Sequence, residues 1–212
     1  MNTRLKFLLV PPLLAAAVGV SAQTDEAYAT YIMQEQWQKV NELPGVDRQI
    51  VSRDIGKLNL SVGIIHRGAV TAPSATPNAE PAARPCGVTS TTRDSGARGI
   101  MHMHQTETYI IVSGSGTLVT GGTIMNGSES EEESNVTQVL NGPSCSGTIV
   151  GDWVAKHVSE GDIIIMPAGT PHGWLEVPVH VDYLSVRPDP DRVLADDYIN
   201  PALGADFKMK TE

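Results

Sequence analysis

Apolar and polar residues alternate along the segment from Leu58 to Ile64, with an apolar side chain at every second position. This period of two is typical of a β-strand. Further short apolar segments, punctuated by glycines, follow as far as residue 187. The predicted strands among them span residues 98–104, 107–119, 147–158, 162–167, 172–177 and 179–187. Many short strands with glycine turns predict an all-β protein, a closed or sandwiched antiparallel barrel.

A helical period precedes the strands. In residues 24–42, the side chains of Tyr28, Ile32, Trp37 and Val40 approximate one face of an amphipathic helix. We expect this helix to pack on the outside of the barrel or on a partner subunit. The predicted organisation is an N-terminal helix and arm (23–57), a barrel domain (58–188) and a C-terminal tail (189–212).

Two segments interrupt the strand pattern. Residues 69–85 are dense in Ala, Pro and Thr and have no periodicity, so they are predicted to form a loop. Residues 121–146 are too many for a hairpin connection, and we expect them to make an excursion over the mouth or rim of the barrel.

The first 22 residues have the pattern of a secretory signal peptide. Arg4 and Lys6 precede an apolar run from Phe7 to Val20, which ends in small residues suited to cleavage. The alternative, a membrane anchor, fits less well because the run is short and contains Pro11 and Pro12. The sequence therefore predicts a secreted or periplasmic protein with no membrane segment after cleavage.

Charge narrows the range of partners. The formal net charge is -9, and loss of the leader's cations would make the mature chain more acidic still. This balance argues against a nucleic-acid partner. The acidic run from Glu129 to Glu133 is expected to be a solvated loop.

The two cysteines, Cys86 and Cys145, each lie in a segment rich in Gly, Pro or Ser. In an oxidising compartment they could form a disulfide, which would stabilise the fold by about 4 kcal/mol in the chain-entropy model. The alternative is two separate thiols in a metal site, against which their loop-like surroundings argue.

Two separate segments carry histidines in suggestive positions. His102 and His104 are two residues apart on a predicted strand, so both imidazoles would project from the same face. His172 follows an apolar strand and a turn at Pro167 and Gly169, so it would open the returning strand and point into the barrel.

Together the two segments resemble the cupin superfamily over residues 58–188. The family's first motif appears as Gly96, His102, His104, Glu107 and Gly114. Its second motif appears, without departure as far as the histidine, as Gly161, Pro167, Gly169 and His172. The resemblance implies a jelly-roll β-barrel that binds one divalent metal ion. The implied metal ligands are His102, His104, Glu107 and His172.

The spacing of the first motif departs from the family. Two residues separate His104 from Glu107, where the family usually has three or four. Glu107 is also an odd number of residues from both histidines, so on a regular strand it would point to the opposite face. A bulge or turn is required to bring it inward. The alternative ligand set is therefore the three histidines alone.

Imidazole ligands with at most one carboxylate favour Fe(II), Mn(II), Ni(II), Cu(II) or Zn(II) over Mg(II) or Ca(II). Such a centre keeps a net positive charge and open coordination positions. An anionic or bidentate oxygen ligand is the expected guest.

Several side chains are candidates for a role beside the metal. Alternation places Tyr109 and Ile111 inward from Glu107, and Trp174 inward from His172, as an apolar and aromatic wall. Glu176 shares the predicted face of His172, and it is a candidate hydrogen-bond acceptor for a metal ligand, a general base, the carboxylate ligand if Glu107 is not one, or a plain rim residue. His66, which follows the Leu58 to Ile64 strand, is a candidate acid or base or a solvated histidine.

Three function classes follow. The leading hypothesis is an Fe(II) dioxygenase acting on a small organic molecule, an analogy drawn from the family. The second is a redox-neutral lyase or isomerase in which Glu176, Tyr109 or His66 moves a proton. The third is a non-catalytic metal- or ligand-binding protein. The resemblance also implies that two chains could pair as a homodimer.

Overall fold

The computed structural model describes residues 29–71, 83–91 and 96–208. The predicted signal peptide and the centre of the predicted 69–85 loop lie outside these residues. Within the described part of the chain, no helix is both long and apolar enough to span a membrane.

Nine strands dominate the described residues, and every pair of strands is antiparallel. In chain order they are β1 (Asp47–Asp54), β2 (Asn59–Val70), β3 (Pro85–Cys86), β4 (Arg98–His102), β5 (Glu107–Glu129), β6 (Ser144–Ser159), β7 (Ile163–Met166), β8 (His172–Asp189) and β9 (Tyr198–Ile199). One α-helix, α1 (Gln34–Asn41), precedes them.

The two longest strands, β5 and β8, close the barrel. β5 pairs with β6, β6 with β4, β4 with β8, and β8 returns to β5, so these four strands form a circuit without a free edge. The same two long strands continue into a second set of pairings with β2 and β7. This arrangement confirms the predicted all-β jelly-roll barrel.

Several element boundaries differ from the predictions. β1 begins at Asp47, inside the predicted N-terminal arm, because it pairs along its length with β2. β5 and β6 pair with each other in one long ladder. This ladder includes both ends of the segment 121–146 that was predicted to be an excursion. What remains between them contains a π-helical turn, Val136–Leu140. The predicted break before residue 179 is absent, since β8 continues through Pro178.

The helix is shorter than predicted, because α1 starts after Met33. The Gln36 side chain accepts a hydrogen bond from the Met33 backbone N–H at 2.7 Å, which satisfies one donor at the helix start. As expected, α1 packs on the outside of the barrel. Its Val40 is fully buried in an outer core with Ile50, Ile64 and Phe207.

The apolar face of β2 therefore points outward, under α1 and the C-terminal tail. On the opposite face of β2, Asn59 and Ser61 are completely buried. Buried polar residues on β8 share this region: Ser185, Arg187 and Asp189. The described chain thus contains an apolar core outside the barrel and a polar cluster at one end of the interior. A second apolar core, with Ile65, Tyr109 and Trp174, fills the rest of the interior.

Cys86 and Cys145 are joined in a disulfide, as predicted. Cys145 is completely buried and belongs to a small apolar cluster with Ile124 and Ile149. The bond fastens the short strand β3 against the β5–β6 ladder, because β3 pairs with β5 and Glu129 of β5 lies opposite Cys145.

Candidate metal centre

Three strand ends meet at one point inside the barrel. His102 is the last residue of β4, Glu107 the first of β5 and His172 the first of β8. The turn after β7 holds the ends in place, because the Gly169 N–H donates to the His102 carbonyl at 2.8 Å. Gly169 has φ +79°, a conformation that glycine adopts without strain. The two motifs are therefore joined by a backbone hydrogen bond.

The side chains of His102, Glu107 and His172 converge in a buried cluster. Their exposed fractions are 3%, 1% and 3%. Glu107 Oε2 lies 3.1 Å from Nε2 of each histidine, and the potential ligand atoms all lie within 4.8 Å of one another. This group has the donor types and spacing to hold a metal ion.

Hydrogen bonds to the far side of each imidazole determine which nitrogen faces the cluster. His172 Nδ1 lies 2.9 Å from the Thr170 carbonyl oxygen, which can only accept, so Nδ1 carries the proton. His102 Nδ1 lies 2.9 Å from Ser144 Oγ, and the Ser144 hydroxyl donates its own proton to the Gly142 carbonyl. His102 Nδ1 is therefore the donor to Ser144, as in metal sites where such partners fix the tautomer.

With both Nδ1 atoms protonated, neutral His102 and His172 present lone pairs on Nε2 to the Glu107 carboxylate. Three acceptors facing one another require a cation or a proton between them. His172 Nε2 is buried and has no hydrogen-bond partner among the described residues, despite its 3.1 Å distance from Glu107. The cluster therefore fits a metal ion.

The other carboxylate oxygen of Glu107 is held by two side chains. Arg187 Nε donates to Glu107 Oε1 at 2.9 Å, and the Ser185 hydroxyl also donates to it. Arg187 is completely buried, and it further donates to Asp47 at 2.7 Å and to the Leu140 carbonyl at 3.0 Å. Only Glu107 Oε2 is left to face the histidines.

The surroundings shift the pKa values of the cluster. Burial alone would raise the pKa of Glu107, but the charge of Arg187, and the imidazoles when they carry a proton on Nε2, lower it well below its usual range. Burial lowers the pKa of His102, and Glu107 opposes this only in part. A carboxylate beside neutral imidazoles is the protonation state that binds a metal.

His104 does not join the cluster, which corrects the predicted ligand set. β4 ends at His102, and the chain bends at residues 103 and 104, so the alternation that would have aligned the two histidines is lost. The His104 side chain is 49% exposed, and its Nδ1 lies 3.0 Å from Asp191 Oδ2. Glu107 does point inward, so the structure brings together two histidines and Glu107 rather than three histidines alone.

Glu176 is likewise outside the site. The register of β8 against β5 shifts around Thr117, which lies opposite Glu176. Past this bulge the inward positions change from even to odd, so Val177 is buried and Glu176 is exposed. Glu176 can therefore not act as ligand or general base for the cluster.

His66 lies on the outer face of β2, away from the cluster. Its Nδ1 is 2.6 Å from Asp182 Oδ1, and its side chain is 44% exposed. It shares a shallow cleft with residues of α1, including Trp37 and Gln38. The prediction of an acid or base at the metal site is not met.

The predicted aromatic wall is present. A cavity of about 620 Å³ reaches the cluster, and Tyr109, Trp174 and Tyr183 line it. The Tyr109 ring stands edge-on to His172, with 5.9 Å between the ring centroids. Ile111 also points inward, into the same core. Whether Tyr109 takes part in catalysis stays a prediction.

Sequence reasoning missed Arg187, Ser185 and Asp47. A signal for two of them was present in β8, where polar residues at 185, 187 and 189 alternate with Leu184, Val186 and Pro188. That alternation indicates a polar interior face, and it continues the face of Tyr183.

No protein-family model matches the chain, and no curated protein matches it. Solved structures align with much of it. The Bacillus halodurans protein BH2720 is 11% identical, with 82% of this chain and 91% of that chain aligned at a TM-score of 0.38. The cupin domain of Schizosaccharomyces pombe Cnp3 is 8% identical, covering 71% and 66% at a TM-score of 0.35. The DMSP lyase DddQ from Ruegeria pomeroyi DSS-3 is 10% identical, covering 84% and 63% at a TM-score of 0.35.

These alignments are too distant to indicate a substrate or a reaction. The strand circuit and the two sequence motifs, by contrast, belong to the chain itself. The structure shows a jelly-roll barrel with a buried His–Glu–His group inside, which is the fold that the resemblance to the cupin superfamily implies.

Proposed function

We propose that this chain is a metal-dependent enzyme that acts on a small organic molecule by a dioxygenase-type oxidation. His102, Glu107 and His172 would hold one divalent transition metal, with Fe(II) favoured. The observation that carries the proposal is the convergence of two Nε2 lone pairs and one carboxylate oxygen in a buried cluster.

Two histidines and one carboxylate are the ligand set of non-haem Fe(II) oxygenases, which leave coordination positions open. Bound Fe(II) would supply redox chemistry with O2 at those positions. This set supports Fe(II) more specifically than the four-ligand set that the sequence motifs imply, because it has one imidazole fewer.

The chain's own residues would prepare the site. Ser144 and the Thr170 carbonyl hold the two imidazoles with Nε2 inward. Arg187 and Ser185 hold Glu107 Oε1, so the carboxylate would bind through Oε2 alone. The rings of Tyr109, Trp174 and Tyr183 keep one side of the cavity apolar and restrict water there.

The proposal can be tested with purified mature protein loaded anaerobically with Fe(II). Elemental analysis of the desalted protein should find about one metal ion per chain in the wild type and none in the double variant His102→Ala/His172→Ala. His104→Ala is the matched control, and it should keep full occupancy because His104 lies outside the cluster. Equal metal content in all three proteins would refute the proposed site.

Activity decides the reaction class. Oxygen uptake by the Fe(II) protein should appear with at least one member of a catechol, thiol and keto-acid panel, and it should be lost in the double variant. Absence of uptake across the panel, with the metal bound, would count against an oxygenase.

A redox-neutral lyase or isomerase is the second candidate, and Tyr109 favours it. Burial raises the pKa of Tyr109 well above its usual range, with Glu107 adding to the effect, so the hydroxyl stays protonated. A neutral phenol beside His172 could donate a hydrogen bond to a substrate oxygen and stabilise negative charge that develops there. Turnover with Zn(II) under argon would select this class. Ligand-dependent thermal stabilisation without turnover would select a binding protein.

We also propose a secreted or periplasmic location. The leader-like N-terminal residues and the disulfide between Cys86 and Cys145 both support an oxidising compartment. Edman sequencing of the exported protein would test it, with a new N-terminus near residue 23 as the expected result.

A further inference from the structure

Strand β2 presents one cation to the interior of the barrel. Ile65 belongs to the interior core with Tyr109 and Trp174. Arg67 is two residues further along the same strand, so its side chain leaves from the same face, whereas His66 faces out. Consistent with this, Arg67 lines the cavity that reaches the metal cluster.

Arg67 has no anionic partner among the residues that the structure describes. Its Nε atom is buried there without a hydrogen-bond acceptor. The two carboxylates that line the cavity, Asp47 and Glu107, are both bonded to Arg187 instead. A guanidinium with a buried, unsatisfied donor is costly unless a ligand completes it.

An aromatic row connects Arg67 to the cluster. Arg67 pairs in register with Val181, two residues before Tyr183 on the same strand face, and both Arg67 and Tyr183 line the cavity. The Tyr183 ring contacts Tyr109, with 4.1 Å between centroids, and Tyr109 in turn contacts His172. Arg67, the two tyrosines and the cluster therefore line one continuous cavity.

We propose that Arg67 is the anion-binding subsite of this cavity and that the ligand is an amphipathic organic anion. Its carboxylate, or a comparable oxyanion, pairs with Arg67, and its apolar body lies along Tyr183 and Tyr109. Its other end faces the His102–Glu107–His172 cluster. This orientation rests on the proposed function, whereas the pairing with Arg67 does not.

Arg98 adds a second cation on the rim of the same cavity, but it is exposed. Its charge should attract anions weakly, in a way that salt screens. Arg98 is therefore the matched control for Arg67: both are arginines that line the cavity, and only Arg67 has a buried donor without a partner in the described structure.

Calorimetry with a matched pair of probes tests the subsite. The probes are 3-phenylpropionate and its uncharged analogue 3-phenylpropionamide, measured on metal-free and on Zn(II)-loaded full-length mature protein. The wild type should bind the acid more tightly than the amide in both forms. Arg67→Met should weaken acid binding about 10- to 100-fold, the worth of a charge-assisted hydrogen bond, and abolish the preference. Arg98→Met should weaken it less than about threefold.

Arg67→Lys keeps the charge without the planar fork, and it should recover part of the acid preference. Circular dichroism spectra that match the wild type will show that each variant is folded. Acid affinity that is unchanged in Arg67→Met, or a wild type that does not prefer the acid, would overturn the inference.

The two proposals fail separately. If Zn(II) binds and depends on His102 and His172, but Arg67→Met binds the acid normally, then the subsite is wrong and the metal site stands. If no metal binds, but the metal-free protein loses its acid preference in Arg67→Met, then the subsite stands without the proposed enzyme.

Discussion

Two histidine–carboxylate pairs in this molecule have the same chemistry and opposite settings. His102 and Glu107 lie 3.1 Å apart with side chains 3% and 2% exposed. His66 and Asp182 lie 2.6 Å apart with side chains 44% and 15% exposed, on the outer face of β2 and β8. The second pair makes the shorter contact, and a second imidazole, His180, stacks on His66 with 6.0 Å between ring centroids. Only in the first pair does the carboxylate also lie 3.1 Å from a second imidazole nitrogen and accept a hydrogen bond from a fully buried arginine.

The comparison shows that proximity alone does not define a metal site. Water screens the interaction between His66 and Asp182, so that pair contributes little to the free energy of unfolding. Around His102 the low dielectric makes unpaired charge costly, and each polar atom needs a partner. The partners in turn select the tautomer that leaves Nε2 free for a metal.

The largest expected effect comes from removing Arg187, the buried cation that pairs with Asp47 and Glu107. Arg187→Met would leave Asp47 and Glu107 buried without their partner, and we expect a loss of about 3–5 kcal/mol in the free energy of unfolding. Urea denaturation measures it. Arg84→Met, which removes the more exposed ion pairs to Glu129, Glu131 and Glu132, should cost about 1 kcal/mol or less. Equal losses would mean that Arg187 is not needed to balance the buried charge.

Next in size is the loss of the carboxylate ligand. Glu107→Gln preserves the shape of the side chain and removes its charge, and we expect metal affinity to fall by at least ~100-fold, more than the loss of an orienting partner causes. Competition with a chromogenic chelator measures it. Glu176→Gln, on the exposed side of the β8 bulge, should bind metal like the wild type.

A smaller effect is expected from Ser144, which orients His102 without touching the metal position. Ser144→Ala should weaken metal binding by about tenfold, because His102 would lose the acceptor that keeps its proton on Nδ1. The outer face offers a matched control, Ser113→Ala, since Ser113 Oγ lies 2.9 Å from His180 Nε2. A control variant that loses as much affinity would contradict the tautomer argument.

The smallest effect concerns pH. Because burial lowers the pKa of His102, the unfolded chain binds a proton that the folded metal-free protein does not, and stability should fall as the pH drops through about 6.5. Near pH 4 Glu107 acts in the same sense and Asp47 in the opposite sense, since burial raises the pKa of Asp47. Thermal unfolding between pH 5 and 7 isolates the His102 contribution, and His102→Gln should flatten that part of the profile.

Much of the fold was accessible from the sequence because it depends on local pattern. The alternation in β2 and the Gly–Pro–Gly–His spacing of the second motif are short-range features, and each predicted its structure correctly. The glycines from Gly114 to Gly122, by contrast, lie inside the long strand β5 and not in turns. The disulfide followed from residue type and setting. Strand ends were harder, since β5 and β6 extend by pairing with each other rather than by their own hydrophobicity.

The predictions for the site residues were also correct where the local strand pattern is regular and wrong where it is interrupted. Tyr109 and Trp174 were placed correctly because the strand is regular between them and the motif residue from which they were counted. Glu176 was misplaced by a bulge and His104 by the end of β4, and neither irregularity is visible as a change in composition. A shift of one residue reverses the face of every position after it.

By itself the sequence determined the barrel, the pair of motif segments and the identity of His102, Glu107 and His172 as candidate ligands. Only the tertiary structure decided that His104 stays outside, that Arg187 holds Glu107 from behind and that Arg67 enters the cavity. The physical reason is that periodicity and motif spacing depend on residues close together in the sequence. The ion pairs that balance the buried charges instead connect β1, β5 and β8, which lie far apart in the chain.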